Sequence, residues 1–413
     1  MIPKHQFSFT ALSRRNSINN AMVVGGAFAL ALALTACGEQ APTGAPIQIE
    51  PLTPPTRTSW PTAGWPTAAP ETVGMDANKL EAVAQYSMTL TGAEEERKGI
   101  RTDGLVVTRN GAIVLERYNR GYTDQTPHLA WSVSKSFVNA LYGIATREGL
   151  VDIDAPAAKY FPALRQLDRE KISLRNILNM SSGIFWTEGY EASPLKSSVV
   201  AMLYTRGRAD MATFTATQNL RARPGKYVYY SSGDTNLLMG AFRQIVPAGS
   251  YENYPWEKLF DVIGMQNVTW ERDGAGNFVG SSYVYATPRD LAKFGFLYLN
   301  DGVWAGNRIL PEGWVTFTRT PAPGYATTPV YEGLDEDNMT AHWYANTGIP
   351  DANIPAPWPD APADTFAAQG QWGQYIFVIP SLDMVIVRVG DDRDGSFDIN
   401  TFLKLIKESV INN

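Results

Sequence analysis

Two β-hairpin patterns near opposite ends of the chain constrain its fold more than any other feature of the 413 residues. In the first, apolar runs within residues 104–115 flank Asn110-Gly111, a dipeptide typical of tight hairpin turns. In the second, apolar runs within residues 374–387 flank a turn that contains Pro380. We therefore predict that both ends of the chain form one antiparallel sheet covered by helices, while the middle forms a mainly helical lobe.

Three helix patterns support this α+β arrangement. Residues 76–90 and 397–410 each show apolar residues at helical spacing. Residues 287–290, Thr-Pro-Arg-Asp, supply an N-cap, a proline at the first helical position and an acidic residue in the first turn. We expect a ligand site in the cleft between the two lobes.

The strongest candidate for chemistry is the sequence Ser-Val-Ser-Lys at residues 132–135, at the predicted start of a helix that ends before Gly149. Ser132 then lies in the first helical turn, where backbone N–H groups lack intrahelical partners, and Lys135 rises from the same face. Burial of an amine favours its neutral form, which can accept a proton from a serine. The Ser132 N–H could also stabilise an oxyanion.

The bare serine–lysine spacing is weak evidence, because Ser193 and Lys196 repeat it in a loop-like segment. For either match the alternative interpretation is a helix-capping serine beside a solvated lysine. Its surroundings favour the match at residues 132–135.

Tyr230 and residues 370–374 are the second and third candidates. A phenol beside a serine–lysine pair can shuttle the serine proton and later protonate a leaving group; the alternative is a buried aromatic ring with a satisfied hydroxyl. Residues 370–374, Gly-Gln-Trp-Gly-Gln, open an apolar strand. There the Gln374 N–H could pair with that of Ser132 as an oxyanion hole; the alternative is a simple turn.

Other classes of chemistry are disfavoured. Neither His128 nor His342 has a metal-ligand spacing, and no G-x-S-x-G motif occurs. We predict no metal and no cofactor. A histidine-based serine triad would need one of these two histidines as its base. The formal net charge of −6 makes nucleic acid an unfavourable partner.

The N-terminus has the pattern of an export signal. Basic residues precede an apolar run at 21–34, and small residues then lead to Cys37, the only cysteine. We predict a lipoprotein signal peptide over residues 1–36 and lipidation of Cys37, and therefore a membrane-anchored protein of the bacterial cell envelope, periplasmic or extracytoplasmic. The alternative is a short membrane-spanning helix, for which the apolar run is too short. Arg14-Arg15 leaves twin-arginine export open.

The remaining chain divides by composition. Residues 37–70 are rich in proline and threonine, typical of a solvated tether. Residues 71–413 are long enough for a large core or two lobes. We assign the α/β lobe to about residues 71–150 and 340–413, and the helical lobe to about residues 151–339.

Several segments carry a family resemblance. Residues 131–136 resemble the first active-site motif of serine β-lactamases and penicillin-binding proteins, and residues 172–183 resemble a block of the class C branch. The similarity spans roughly residues 65–410, with the motifs in the expected order. Residues 230–238 look most like 6-aminohexanoate-dimer hydrolase and related esterases.

The resemblance implies roles for individual residues. It implies that Ser132 is the acylated nucleophile, that Lys135 and Tyr230 are its catalytic partners, and that Gln374 provides the second oxyanion donor. The remaining implied substrate-binding residues are Ser232, Gln371, Trp372 and Gly373.

Two departures from the family pattern matter. Ser232 replaces the asparagine of the second motif, and Gln371 replaces a cationic residue of the third. A neutral amide cannot offer the charge-assisted hydrogen bond that attracts the carboxylate of a β-lactam or a peptidoglycan stem.

These observations predict a serine hydrolase of the β-lactamase/transpeptidase-like α+β fold that acts on small-molecule esters or amides through an acyl-enzyme. One alternative is a β-lactamase or D,D-peptidase, and another is a non-catalytic binding or sensor module of the cell envelope. We expect a monomer with a membrane contact through Cys37.

Overall fold

The computed structural model describes residues 49–190, 193–329 and 338–411. The predicted signal peptide, Cys37 and the first part of the predicted tether lie outside these ranges. No helix within them is long and apolar enough to cross a membrane.

In the described residues, the longer strands lie near the two ends of the chain and most of the helices lie in its middle. Its strands are β1 Thr102–Arg109, β2 Ala112–Tyr118, β3 His128–Leu129, β4 Thr269–Trp270, β5 Val284–Ala286, β6 Val303–Trp304, β7 Asn307–Arg308, β8 Tyr344–Ala345, β9 Phe366–Gly370, β10 Gln374–Ile379 and β11 Met384–Gly390. Its α-helices are α1 Ala77–Met88, α2 Ser134–Arg147, α3 Leu174–Leu178, α4 Ser198–Tyr204, α5 Met211–Ala216, α6 Ser232–Ile245, α7 Pro288–Leu299, α8 Trp314–Arg319 and α9 Ile399–Glu408.

The largest sheet is antiparallel and has the strand order β2-β1-β11-β10-β9-β8. Strand β1 pairs with β11, from the other end of the chain, and places Val106 opposite Val387. The prediction that both chain ends form one sheet is confirmed. In the first hairpin, Asn110 (φ 51°) and Gly111 (φ 79°) both adopt the left-handed conformation that a type I′ turn requires.

Helices cover both faces of this sheet. On one face, Val106 and Val387 join the same core cluster as Phe294 of α7. On the other face, Leu105 and Ile386 pack with residues of α1 and α9. Successive strand residues point to opposite faces, so the unbroken apolar runs of β1 and β11 fill two cores at once.

The predicted helix starts are confirmed by their caps. Asp76 accepts a hydrogen bond from the Asn78 N–H at 2.9 Å at the start of α1. Thr287 accepts one from the Asp290 N–H at 3.2 Å at the start of α7. Each cap satisfies a backbone donor that lacks an intrahelical partner.

The middle of the chain supplies helices α3 to α6 and two smaller sheets, β3-β5-β4 and β6-β7. Helix α6 packs against α2, α3, α4 and α5. Helix α6 therefore connects the helix-rich part of the fold to α2, which begins two residues after Ser132. The fold class is α+β, as predicted.

The described part of the predicted tether is packed rather than solvated. Trp60 and Trp65 both contact the ring of Phe296, with centroids at 5.8 and 5.4 Å. The Trp65 Nε1–H also donates to the Arg289 carbonyl at 3.0 Å. The tryptophans bury apolar surface against α7, so the proline-rich composition misled the prediction for this stretch.

An ion pair fixes the same segment at a second point. The Arg57 guanidinium bonds both carboxylate oxygens of Asp383, one of them at 2.9 Å, in the turn between β10 and β11. Its Nε–H donates to the Asn300 side chain at 2.6 Å. Residues 57–65 thus bind to the helix α7 side of the sheet. The tether prediction is corrected for the described residues up to 70.

We expect Trp65→Ala to lower the free energy of unfolding by about 2 kcal/mol, because it removes a half-buried indole and leaves a gap. Thermal unfolding measures the loss. Leu167→Ala is the control, since Leu167 is 90% exposed and its removal should leave the melting temperature unchanged. An unchanged melting temperature in Trp65→Ala would mean that the segment binds without stabilising the fold.

Candidate active site

Ser132 and Lys135 meet at the start of helix α2. Ser132 lies in the 3₁₀ turn Trp131–Val133, and the α-helix begins at Ser134, two residues later than the pattern suggested. The Lys135 Nζ donates to the Ser132 Oγ at 3.0 Å, and the side chain is only 2% exposed. The amine is therefore directed at the hydroxyl and is shielded from bulk water.

A second contact holds the lysine in this position. Its Nζ also donates to the Ser281 carbonyl at 2.8 Å. The Asn236 amide of α6 in turn donates to the Ser281 hydroxyl at 3.0 Å and accepts from its N–H at 3.3 Å. Neither Ser281 nor Asn236 was expected from the sequence, since no local pattern marks a residue that acts through a distant carbonyl.

Tyr230 completes the group. It precedes helix α6, whose N-cap Ser231 accepts the Asp234 N–H at 3.0 Å. The Lys135 Nζ lies 4.7 Å from the centroid of the Tyr230 ring. The structure thus brings together the three residues predicted to be catalytic.

These residues line one small pocket. Its walls are formed by Ser132, Lys135, Met180, Tyr230, Met339, Thr340, His342, Trp343, Tyr344 and Gln369. The ionisable side chains among these lining residues are those of Lys135, His342, Tyr230 and Tyr344. The pocket is narrow and largely apolar.

Ser232 does not face this pocket. It is fully buried, and its backbone N–H and hydroxyl both donate to the Glu188 carboxylate, the hydroxyl at 3.2 Å. The Trp186 indole donates to the same carboxylate at 2.7 Å. The predicted substrate contact by Ser232 is therefore corrected: its polar groups are used within the protein.

Glu188 is a carboxylate near the site that the sequence did not reveal. Burial raises the pKa of the Glu188 carboxyl. The positive charge of protonated Lys135 and the hydrogen bond from the Ser232 N–H act in the opposite direction and lower this pKa. Its contacts link the loop before α4 to the first turn of α6. Glu188 thereby helps to fix the backbone that follows Tyr230.

The third-motif residues Gln371, Trp372 and Gly373 form the loop between β9 and β10. The register pairs Gln374 with Gly370. The two residues that close a three-residue loop exchange main-chain hydrogen bonds with each other. The Gln374 N–H is therefore used in the hydrogen bonding between β9 and β10. The Gln374 side chain is also buried, against the Gly390 carbonyl at 2.7 Å. The prediction that Gln374 donates to an oxyanion is therefore corrected.

The Gln371 N–H is better placed. Main-chain groups alternate between the two sides of a strand, so Gln371 directs its N–H to the opposite side from Gly370, away from β10. On that side β8 pairs only with Phe366 and Ala367. A Cβ on Gly370 would lie 2.5 Å from the Ala130 carbonyl, so the open edge of β9 reaches the turn that carries Ser132.

Buried polar groups hold this loop in shape. Trp372 (φ 61°) and Gly373 (φ 90°) have left-handed backbones. The guanidinium of Arg388, which is fully buried, donates to the Gly373 carbonyl at 3.0 Å. The Asp392 N–H donates to the Trp372 carbonyl at 3.1 Å. A Cβ on Gly373 would lie 2.0 Å from Arg388 Nη1, so this position requires glycine.

Both described histidines are engaged elsewhere. His342 Nδ1 contacts the Leu178 carbonyl at 2.7 Å, so it carries the proton, and Nε2 accepts from the Thr235 hydroxyl at 2.9 Å. Burial lowers the pKa of His342 to about 3. His128 Nε2 contacts Asp103 at 2.9 Å. Neither arrangement gives Ser132 a histidine base.

Asp234 ties α6 to the loop around Ser182, whose hydroxyl donates to its carboxylate at 2.8 Å. Burial raises the pKa of Asp234 from 3.8 to about 7, against that hydrogen bond. A carboxyl with a raised folded pKa stabilises the fold fully below its unfolded pKa, and this contribution is lost as the pH rises through about 7.

We therefore expect wild type to lose stability relative to Asp234→Asn, by about 2 kcal/mol between pH 5 and 8. The amide keeps an acceptor for Ser182 and does not ionise. Melting temperatures at both pH values measure the difference. The exposed substitution Asp261→Asn is the control and should follow wild type. Parallel pH profiles of Asp234→Asn and wild type would contradict this expectation.

A serine, a buried lysine and a tyrosine gathered beside an antiparallel sheet define an acyl-transfer site of the serine–lysine type. A model of the Beta-lactamase family matches residues 82–401, and the chain belongs to this family. It is a β-lactamase-related serine hydrolase.

Individual relatives agree with this assignment. The chain is 28% identical over 344 residues to 6-aminohexanoate-dimer hydrolase of Paenarthrobacter ureafaciens, covering 81% of this chain and 83% of the relative. A putative 6-aminohexanoate-dimer hydrolase from Bacillus anthracis superposes with a TM-score of 0.61 at 23% identity, covering 84% and 86% of the two chains. A family VIII carboxylesterase superposes with a TM-score of 0.59 at 16% identity, covering 81% and 98%. The two superpositions show that the fold is shared.

Proposed function

We propose that the protein hydrolyses small carboxylic esters or amides through an acyl-enzyme on Ser132. The observation that carries this proposal is the 3.0 Å contact between the Lys135 Nζ and the Ser132 Oγ, made by a lysine that is almost fully buried. Such a contact provides a nucleophile and its base without histidine.

The first half of the reaction transfers the acyl group. In its deprotonated form, Lys135 takes the proton as the Ser132 Oγ attacks the carbonyl carbon, and the N–H groups of Ser132 and Gln371 stabilise the resulting oxyanion. Collapse of the tetrahedral intermediate breaks the bond to the leaving group. The Tyr230 phenol donates its proton to that group and takes the proton from Lys135 in return. The second half repeats these steps with water as the nucleophile and releases the carboxylic acid.

The pocket favours small, uncharged acyl groups. Its apolar walls include Met180, Met339 and Trp343, and Lys135 is the only lysine or arginine among the residues that line it. The names of the two relatives, an amide hydrolase and a carboxylesterase, support the same substrate classes. The alternative substrate, a β-lactam or peptidoglycan stem, carries a carboxylate that this site does not attract.

A substrate panel tests the proposal. We expect p-nitrophenyl esters with two to four acyl carbons to give the highest kcat/KM, and a fluorescent penicillin to leave Ser132 unlabelled. Absence of turnover on every ester and amide would contradict the proposal. A penicillin adduct on Ser132 would favour the β-lactamase or D,D-peptidase alternative.

We also propose that the hydrolase is held at the bacterial cell envelope through lipid on Cys37. The proposal is supported by the apolar run and the small residues before this cysteine. Cys37→Ser should move the full-length protein from the membrane fraction to the soluble fraction of expressing cells. Equal membrane retention of both forms would contradict the anchor.

A further inference from the structure

We propose that four aromatic side chains beside Ser132 form a subsite for the leaving group and select substrates whose alcohol or amine carries an aromatic ring. These residues, the aromatic cluster, are Trp131, Tyr190, Tyr283 and Trp372. The inference rests on the proposed function and specifies the class of substrate for that site.

The cluster is centred on Trp131. Its ring lies 5.1 Å from that of Trp372 at an interplanar angle of 80°, and 6.4 Å from the rings of both Tyr190 and Tyr283. All four side chains are only partly buried. Trp131 directly precedes Ser132 and Trp372 directly follows Gln371 in the chain. The two indoles therefore flank the nucleophile and the proposed oxyanion donor.

The cluster is separate from the small pocket. None of its four members is among the residues that line the pocket around Lys135 and Tyr230. A tetrahedral carbon on Ser132 carries an acyl chain and a leaving group that point in different directions. If the narrow pocket takes the acyl chain, the aromatic cluster lies where the leaving group must exit.

The backbone of both tryptophans is unusual. Trp131 has φ 46° and Trp372 has φ 61°, a left-handed conformation that bulky residues rarely adopt. Such strain persists where the surrounding structure enforces it, and it concentrates at functional sites. Both left-handed tryptophans are therefore direct chain neighbours of the proposed reacting groups, Ser132 and Gln371.

Neighbouring groups hold the rings in place. The Arg393 guanidinium lies 3.4 Å from the centroid of the Trp372 ring and is itself bonded to Asp391 at 2.9 Å. The Tyr190 hydroxyl is hydrogen-bonded to the side chains of Ser232 and Ser282. Rings that are fixed before binding lose little conformational entropy when a planar group packs against them.

The test compares benzyl acetate with cyclohexylmethyl acetate, which differ in the aromaticity of the leaving alcohol but share their acyl group. We expect wild type to prefer the benzyl ester by about tenfold in kcat/KM. Trp372→Asn should reduce this ratio to near one; asparagine tolerates the left-handed backbone and so removes the ring with little disturbance of the loop. The control is Phe185→Leu, a partly exposed ring outside the cluster, which should keep the wild-type ratio.

The ratio is insensitive to general loss of activity, because damage to the nucleophile or the oxyanion hole affects both esters. A benzyl-to-cyclohexylmethyl ratio near one in wild type would overturn the aromatic subsite, and so would a ratio unchanged in Trp372→Asn. In either case, turnover of the esters would still support the proposed function. The acyl-side pair, methyl phenylacetate and methyl cyclohexylacetate, gives a second check. If Trp372→Asn changed only that pair, the cluster would bind the acyl group and the leaving-group assignment would be overturned. No turnover of any ester would overturn both proposals.

Discussion

Ser132→Ala is expected to abolish ester hydrolysis, with kcat reduced by about 10⁴-fold or more. The substitution removes one oxygen atom, so the acyl-enzyme cannot form, while the contacts of Lys135 to Ser281 remain. Steady-state kinetics on a p-nitrophenyl ester measure the effect, and an unchanged melting temperature shows that the variant is folded.

Ser193→Ala is the matched control. Ser193 belongs to the second serine–lysine match, but the structure leaves both Ser193 and Lys196 exposed. The control should therefore retain wild-type kcat. If Ser132→Ala retained substantial turnover, the nucleophile would have to be another group.

Lys135→Met is expected to reduce kcat by about 10³-fold. Methionine has a similar length and keeps the apolar contacts, but it can neither accept the proton of Ser132 nor donate to Ser281. Lys135→Arg should not restore activity, because a guanidinium stays charged and cannot act as a base. Stopped-flow kinetics of the acylation burst locate the loss in the first half of the reaction.

Lys196→Met is the control for this substitution, because that lysine is exposed and has the same spacing from a serine. It should leave the burst unchanged. A fast burst in Lys135→Met would assign the role of base to another group, and a fully active Lys135→Arg would contradict proton transfer through the lysine.

Much of the fold could be predicted because its signals are local. The Asn110-Gly111 turn and the caps at Asp76 and Thr287 depend on residues within a few positions of each other. The apolar runs of β1 and β11 also show which strands are buried on both faces. The two chain ends were expected to pair because the two hairpin patterns are strong strand signals, and one shared antiparallel sheet is the economical arrangement for them.

The details of the site were harder to predict because they depend on distant contacts. Ser281 and Glu188 reach the site through the folding of separate segments, and no spacing in the sequence links them to Ser132. Whether Gln371 or Gln374 donates to the oxyanion depends on which residues close the β9–β10 loop. The sequence leaves this strand register open, because glycines and glutamines recur through residues 369–374. Composition misassigned the segment around Trp60 because proline content outweighed its tryptophans.

Labelling with a fluorophosphonate followed by peptide mass spectrometry tests the central claim most directly, because the probe bonds only to an activated nucleophile. Ser132 and Ser134 lie in the same tryptic peptide, so fragment ions must distinguish them. We expect one phosphonyl group on Ser132 in wild type and greatly slowed labelling in Lys135→Met. A label on any other residue, or an unlabelled Ser132 in folded wild-type protein, would contradict it.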